Sequence, residues 1–411
     1  MEEQLAELGL LSDGDPKRPK ESKSAPVPVV NIALFVIQAC NLRCVYCYGD
    51  GGGYGGGGKM APATARRAVD WLIRGSQSRK DLHIAFFGGE PLLNFPLMCE
   101  TVRYAEERGK VTKKRFSYSV TTNATLLDEE RVAWIKAHKV NVLVSFDGPR
   151  EIQDAQRPFI DGRGSFEAAV VNIRMLLKEL PDSGVRATLL GSTDPDAVRV
   201  SLREFGFKKV CVAPVSASLF GSRSGKPVPS AKVSGILRSV EKEAEQWRAA
   251  VRGRDTKALG DLAGTGRLVD TITALCHGAK KNYPCGAGRG LVGVSCEGEV
   301  FPCHRFIGTE RYRLGSVFTD ELDRDAFLQY PAQRIAECAR CFARNHCAGG
   351  CWHENAGACG SCDAPSPDYC AQIRRSLEMA AMVAAAFDEE DLAFLSESKI
   401  IPRKPCPFDF P

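Results

Sequence analysis

The chain has 411 residues, 26% charged and 44% hydrophobic, with Lys and Arg outnumbering Asp and Glu by 55 to 50. The hydrophobic content excludes a disordered chain, and the length excludes a disulfide-held miniprotein. The near-balance of charge gives no pull toward nucleic acid or an anionic membrane. A chain of this length is expected to form two to three domains with ample core. No stretch approaches the roughly 20 apolar residues of a membrane helix. The first 27 residues carry acids and lysines and lack the apolar centre of a signal peptide. The expected compartment is the cytoplasm, where 17 cysteines point to metal or redox chemistry rather than to disulfides.

In chain order, residues 1–11 suit a short amphipathic helix on Leu5, Leu8, Leu10 and Leu11. Residues 12–28, rich in Lys, Pro and Ser, suit a linker, so 1–29 form an N-terminal helix and linker. Apolar β-rich runs follow at 32–38, 82–87, 115–121, 141–146, 185–191 and 209–213, with helical patterns near 61–74, 95–108, 128–138, 166–180 and 196–205 between them. Six strands alternating with helices over 30–215 predict an α/β core, a partial (β/α)6 TIM-like barrel with right-handed crossovers. Active residues are expected at the C-terminal ends of the strands. Residues 216–275 read as a helical connection, with EKEAEQWRAAVRGRD its clearest piece. Over 276–375 cysteines crowd and long periodic runs vanish, the pattern of a small domain held by metal. Residues 376–411 close with a helix, continuing from 371 to about 395, and a Pro-rich tail.

Directly after the first strand comes Cys40-Asn-Leu-Arg-Cys44-Val-Tyr-Cys47. Thiolates in this number select iron–sulfur clusters or zinc. Three ligands leave one position open, as catalytic metal sites need; the competing readings are a structural zinc or buried free thiols. CNLRCVYC resembles the signature of the radical S-adenosylmethionine (SAM) enzymes, C-x3-C-x-aromatic-C. The resemblance implies a 4Fe–4S cluster on Cys40, Cys44 and Cys47, with the unique iron chelating the amino and carboxylate groups of SAM. Phe87-Gly88-Gly89-Glu90-Pro91 ends the second strand and looks like the family's GGE motif. Gly88 and Gly89 allow close backbone approach, and Glu90 can pair with the methionine ammonium. Asn123, in Thr121-Thr122-Asn123, stands where the family often has T-N-G, with Ala124 in place of the glycine. Ser145, in Ser145-Phe146-Asp147-Gly148, resembles the S-x-D-G serine that contacts the ribose or methionine part. Tyr46 is expected beside the adenine. Eight of the ten residues from Gly49 to Gly58 are glycine. Met60 stands where a phosphate-binding loop needs Ser or Thr, so the stretch reads as a flexible loop beside the cluster, gating substrate, or as a plain surface loop.

The later cysteines run Cys285-x12-Gly298-x4-Cys303, then Cys338-x2-Cys341-x5-Cys347-x3-Cys351, then Cys370. This seven-cysteine array resembles the SPASM domain of peptide-modifying radical enzymes. It implies two auxiliary iron–sulfur clusters of the 4Fe–4S kind. Cys338, Cys341, Cys347 and Cys370 would hold the outer one, and Cys285, Cys303 and Cys351 the inner one. Cys276 is the candidate fourth inner ligand; an open iron that takes a substrate thiolate is the alternative. Cys99 and Cys211 read as small core residues, Cys359-x2-Cys362 as a loop feature or an extra metal pair, and Cys406 as free. His304 follows Cys303, where sulfatase-maturating relatives have an aspartate base; a base, a partner behind the site and plain packing are its possible roles.

The resemblance implies a radical SAM oxidoreductase that matures a peptide or protein. A 5′-deoxyadenosyl radical takes a hydrogen atom from substrate, and the auxiliary clusters accept a second electron. A thioether or related crosslink is the expected product. The alternatives are formylglycine formation as in sulfatase maturases and, in another class, a non-catalytic metal-binding scaffold. Expected partners are the peptide or protein substrate, an electron donor such as flavodoxin or ferredoxin, and a separate leader-peptide-binding protein, since 28 residues are too few for a recognition domain. Neither nucleic acid nor a membrane is expected as a partner.

Overall fold

The computed structural model describes residues 27–216, 218–220, 233–264, 268–319, 321–329 and 331–401. The predicted N-terminal helix, nearly all of the linker and Cys406 lie outside the described residues. One sheet runs through the molecule in the order β6-β5-β4-β3-β2-β1-β7-β8-β9. Its first six strands are β1 (Asn31–Ile37), β2 (Asp81–Gly88), β3 (Arg115–Thr122), β4 (Asn141–Ser145), β5 (Gly184–Leu189) and β6 (Lys209–Pro214). Each pairs with the next in parallel, as the alternation predicts. The crossovers carry α1 (Pro62–Gly75), α2 (Phe95–Thr112), α3 (Glu129–Ala137), α4 (Arg150–Gln156), α5 (Phe166–Glu179) and α6 (Pro195–Glu204). Local chemistry fixes several starts. Proline occupies the first turn of α1, α2 and α6, and the Asp128 and Asp194 carboxylates cap α3 and α6 by accepting the Arg131 and Asp196 amides.

Burial alternates along β2: Leu82, Ile84 and Phe86 are buried, while His83, Ala85 and Phe87 lie on the opposite, half-open face. β1 is buried almost throughout, because core side chains cover both of its faces. Its second neighbour was not legible in the sequence. β7 (Leu291–Val294) pairs with it in parallel, from Asn31↔Leu291 to Leu34↔Val294. β8 (Glu299–Phe301) and β9 (Gly315–Ser316) continue the sheet antiparallel. The six-stranded partial barrel is therefore open, with the cysteine-rich segment grafted onto its first strand.

A second core lies among α7 (Val233–Arg252), α8 (Thr256–Ala263), α9 (Val269–Cys276), α11 (Pro367–Ala384) and α12 (Glu389–Glu397), with α10 (Trp352–Cys359) preceding the last two. Trp247, Leu259, Ile272, Leu377, Val383 and Leu395 are buried there, so the connection after the barrel and the C-terminal helices share one apolar cluster. Ser366 caps α11 through the Tyr369 amide, which starts that helix before Cys370 rather than after it. Among the described residues no helix is long and apolar enough to cross a membrane.

Candidate functional site

The loop after β1 holds Cys40, Cys44 and Cys47, all with free thiols. Burial raises Cys40 and Cys44 to about 12, and charge on the neighbouring thiols of the loop adds to the rise. Such thiols stay protonated unless a cation replaces the proton. Next to Cys40 the end of β2 crosses the end of β1 at backbone contact. A Cβ on Gly88 would stand 2.1 Å from the Ile37 carbonyl oxygen, and one on Gly89 2.1 Å from that of Ala39. The Gly89 and Glu90 amides donate to those two carbonyls at 3.1 and 2.9 Å. The glycines thus let two strand ends touch, which fixes where Cys40 begins its loop.

Glu90 is 1% exposed. Its carboxylate accepts from the Asn123 amide (2.7 Å), the Thr122 hydroxyl (2.8 Å) and the Leu92 amide (3.2 Å). Burial raises it to about 7, against the pull of those donors. Asn123 donates its side-chain amide to Asn41 Oδ1 at 2.9 Å, with Cys40 Sγ 3.9 Å away, and Asn41 donates on to Thr125 at 2.8 Å. The ends of β1, β2 and β3 are thereby sewn together around Cys40.

A second network backs Cys44. Tyr46 donates its hydroxyl to Asp147 at 2.5 Å, and Arg157 pairs with the same carboxylate at 3.0 Å, Asp147 being 1% and Arg157 8% exposed as side chains. Asp147 also accepts the Thr188 amide, and the Arg157 guanidinium lies 5.3 Å from the Tyr46 ring and 4.0 Å from Cys44 Sγ. Ser145, half-buried at the end of β4, pairs with Arg186 of β5. The glycine-rich stretch is only partly a surface loop. Gly49, Gly51, Gly52 and Tyr54 are buried, Tyr54 meets Phe35 edge-on at 4.9 Å, and Gln38 holds the Gly53 carbonyl at 3.2 Å, whereas Gly55–Gly58 face solvent or nearly so.

The later cysteines reach the same end of the sheet through a missing side chain. After β8 the chain folds across β7 at Gly293, where a Cβ would stand 2.8 Å from the Cys303 carbonyl group. This puts His304 against Phe87 of β2, ring centroids 4.7 Å apart, and within 6.4 Å of Tyr48. Burial, with Arg305 and Arg186 nearby, holds the His304 imidazole neutral down to about pH 3. Cys303, Cys285 and Cys351 form one group whose charges bear on one another, and burial raises Cys303 to about 12 and Cys285 to about 11. Cys276 packs against the second core, raised to about 11 by burial. Cys338, Cys341, Cys347 and Cys370 line one cavity of about 30 Å³, and four thiolates are the donor set of an iron–sulfur cluster. Among the described residues no three His, Cys, Asp or Glu side chains converge as ligands of a single ion do.

Two expectations for cysteines change. Cys211 is exposed rather than core, because it sits at an outward-alternating position of the edge strand β6. Cys359 and Cys362 part company: Cys359 is exposed near Cys370, while Cys362 is half-buried beside Tyr312. Sequence reasoning also passed over Asp147, Arg157, Asn41 and Arg305. Asp147 and Asn41 stand inside quoted motifs, but Arg157 and Cys44 are 113 positions apart and only the fold joins them.

Residues 34–204 match the radical SAM superfamily. An uncharacterised protein of Methanocaldococcus jannaschii is 36% identical over a third of this chain (33%), and the match spans 44% of that relative's own length. A serine-type anaerobic sulfatase-maturating enzyme of Klebsiella pneumoniae is 25% identical over 80% of this chain and 82% of its own. Among solved structures, native anSMEcpe with bound AdoMet and the Cp18Cys peptide superposes with a TM-score of 0.69 at 19% identity, covering 90% of this chain and 99% of that one. Streptococcus suis SuiB bound to its precursor peptide SuiA gives 0.57 at 13% identity, covering 89% and 86%. These two likenesses establish the shared fold.

Proposed function

Because residues 34–204 match the radical SAM superfamily and the cysteine-rich C-terminal region fits a SPASM domain, we propose that this chain is a radical SAM maturase that oxidatively modifies a peptide or protein and closes a thioether or related crosslink. The observation that carries this reading is the arrangement of thiols in three sets. One lies on the loop after β1, one around Cys303 at the same end of the sheet, and one lines its own cavity. Peptides bound to the anSMEcpe and SuiB structures support a peptide substrate.

Cys40, Cys44 and Cys47 would hold the cluster that binds SAM, Cys285, Cys303 and Cys351 the inner auxiliary cluster, and Cys338, Cys341, Cys347 and Cys370 the outer one. When bound, these groups supply the radical that abstracts a hydrogen atom and the acceptor for a second electron. The chain's own contribution is to place and shield them. Asn123 and Ser145 stand at strand ends for SAM contacts. The carboxylate of Glu90 and the hydroxyl of Tyr46 are already engaged within the protein, so these two act one step back, bracing Cys40 and the Cys44–Cys47 segment. Phe87, Tyr48 and His304 crowd together and exclude water from the reacting region. His304, held neutral there by burial, adds its ring to that wall. The sixteen described cysteines are all free, which suits work in a reducing cytoplasm with a flavodoxin- or ferredoxin-type donor.

Formylglycine formation is the second reading, favoured by the sulfatase-maturating relatives. Mass spectrometry of a Cys-containing peptide encoded beside this gene and co-expressed with the enzyme separates the two. Loss of two hydrogens with retention of sulfur supports the crosslink. Conversion of a thiol to an aldehyde supports formylglycine. Protein holding zinc without sulfide after anaerobic purification would refute both.

A further inference from the structure

Arg305 stands on the single 3-10 turn His304–Phe306, directly behind Cys303 in space and in sequence, and no motif points to it. Its guanidinium is buried at 13% exposure and engaged on every side. Nη1 donates to the Glu354 carboxylate at 2.7 Å and lies 3.7 Å from Cys351 Sγ. Nη2 donates to the Ser216 hydroxyl, on the segment that follows β6. The guanidinium carbon stands 5.3 Å from the ring centroid of Tyr48, whose chain neighbour is Cys47. One cation thus touches a sulfur of the inner cysteine set and the aromatic ring that adjoins the first set.

The engagement is specific to a planar fork. Glu354 and Cys351 share one nitrogen while Ser216 takes the other, an arrangement a lysine ammonium cannot reproduce. Glu354 is on the first turn of α10, three residues after Cys351, so the carboxylate that orients the guanidinium is carried by the same short segment as the sulfur. An N–H···S contact of this kind stabilises the more negative state of an iron–sulfur cluster, because hydrogen bonds to sulfur and local charge set its potential.

Resting on the reading that Cys285, Cys303 and Cys351 hold the inner cluster, we propose that Arg305 is a positioning residue that raises that cluster's reduction potential through its contact with Cys351. Held by those three cysteines, the cluster would supply the acceptor for the one electron given up as the substrate's new bond closes and its proton leaves. Arg305 would stabilise the added negative charge, with Glu354 and Ser216 holding the fork in place.

The test is a redox titration of anaerobically reconstituted full-length protein, followed by electron paramagnetic resonance, with iron and sulfide measured on the same samples. Arg305→Lys keeps the charge and loses the fork; Arg305→Met removes both. The expected result is that one of three couples moves to more negative potential, by at least tenfold in its equilibrium constant for Arg305→Met (59 mV for a one-electron couple) and by less for Arg305→Lys. The other two couples stay in place and iron content is unchanged. Three unmoved couples in fully loaded Arg305→Lys would overturn the proposal, whether or not Arg305→Met loads. Wild-type protein that holds only one cluster's iron would instead overturn the reading beneath it.

Discussion

Gly89→Ala tests whether the site is built by the crossing of two strand ends. The new Cβ would stand 2.1 Å from the Ala39 carbonyl oxygen and 2.8 Å from the Cys40 amide nitrogen, both backbone atoms without a rotamer to escape into. Contacts below 3.0 Å are not tolerated, so the ends of β1 and β2 must part by about 0.9 Å (3.0 less 2.1). The Glu90 amide then sits about 3.8 Å from the Ala39 carbonyl instead of 2.9 Å, and the Gly89–Ile37 hydrogen bond at 3.1 Å stretches with it. Two lost hydrogen bonds cost about 1–3 kcal/mol, and overpacking costs a similar amount that partly overlaps, giving about 2–4 kcal/mol in all. Thermal unfolding under anaerobic conditions should show Tm lower by roughly 2–5 °C. Cys40 is displaced with its strand, so about one third of the iron should be lost while the C-terminal clusters load normally. Gly260→Ala in α8 is the control: nothing lies within 4 Å of its Cβ position, and a helix there gains about 1 kcal/mol from alanine. Wild-type Tm and full iron in Gly89→Ala would refute the reasoning.

Asp147→Ala leaves the buried Arg157 without its counter-ion and Tyr46 without its acceptor. A loss of about 3–5 kcal/mol is expected in urea unfolding, against less than about 1 kcal/mol for Asp81→Ala, whose partner Arg115 is 70% exposed; equal losses would contradict the burial argument. Cys276→Ser should keep full iron and sulfide, whereas Cys351→Ser should lose one cluster's share, since Cys351 neighbours Cys285 and Cys303 and Cys276 packs against the second core. His83 bridges the Ser117 and Ser119 hydroxyls at 2.8 and 2.9 Å, and burial lowers its pKa from the ordinary 6.5. The unfolded chain therefore takes up the proton first, and stability falls as pH drops below 6.5, by up to about 1.4 kcal/mol per unit, until the folded imidazole protonates too. The slope of urea midpoint against pH between 7.5 and 5.5 should be shallower in His83→Gln; an identical slope would count against the linkage. Cys296, 5% exposed, donates its thiol to the Phe35 carbonyl at 3.1 Å. Cys296→Ala should lower stability by about 1–2 kcal/mol with iron content intact, and loss of iron would reveal a ligand instead.

The six parallel strands could be read from the chain because each is a run of five to eight residues with period-two or continuous apolar character, set between longer helical patterns. The cysteine loop was equally legible, its ligands being local. Short elements escaped. β7, β8 and β9 have four, three and two residues, too few to show a period, and β1, the partner of β7, lies 260 positions away at Asn31↔Leu291. The glycines in the GGE motif pointed to close approach, but toward a ligand; the approach observed is between two strand ends. Glu90, Asp147 and Arg157 illustrate a further limit. A charged residue in a motif reads as a ligand contact, whereas its hydrogen-bond partners, and hence its structural work, become visible only when strands separated by 30 to 110 positions are brought side by side.

β1 ties the two cysteine regions to one frame. It is the central seam of the sheet, with β2 on one edge and β7 on the other, and its C-terminal end is held from both directions. On the β2 side the Ile37 and Ala39 carbonyls accept the Gly89 and Glu90 amides. On the β7 side the Cys296 amide donates to Gln38 Oε1 at 3.0 Å, and Gln38 reaches on to Gly53 in the glycine-rich stretch. Cys40 is two residues beyond Gln38, and Cys303 two beyond the end of β8. Any displacement of the β7–β8 hairpin must therefore move the end of β1, and with it the first cysteine loop. A rigid joint of this sort fixes the distance between two redox groups better than side-chain contact between separately folded domains, because backbone pairing in a twisted sheet permits no sliding without loss of register. The spacing of the two cysteine regions is thus set by hydrogen bonds of the sheet itself, and Arg305 lies between Tyr48 and Cys351.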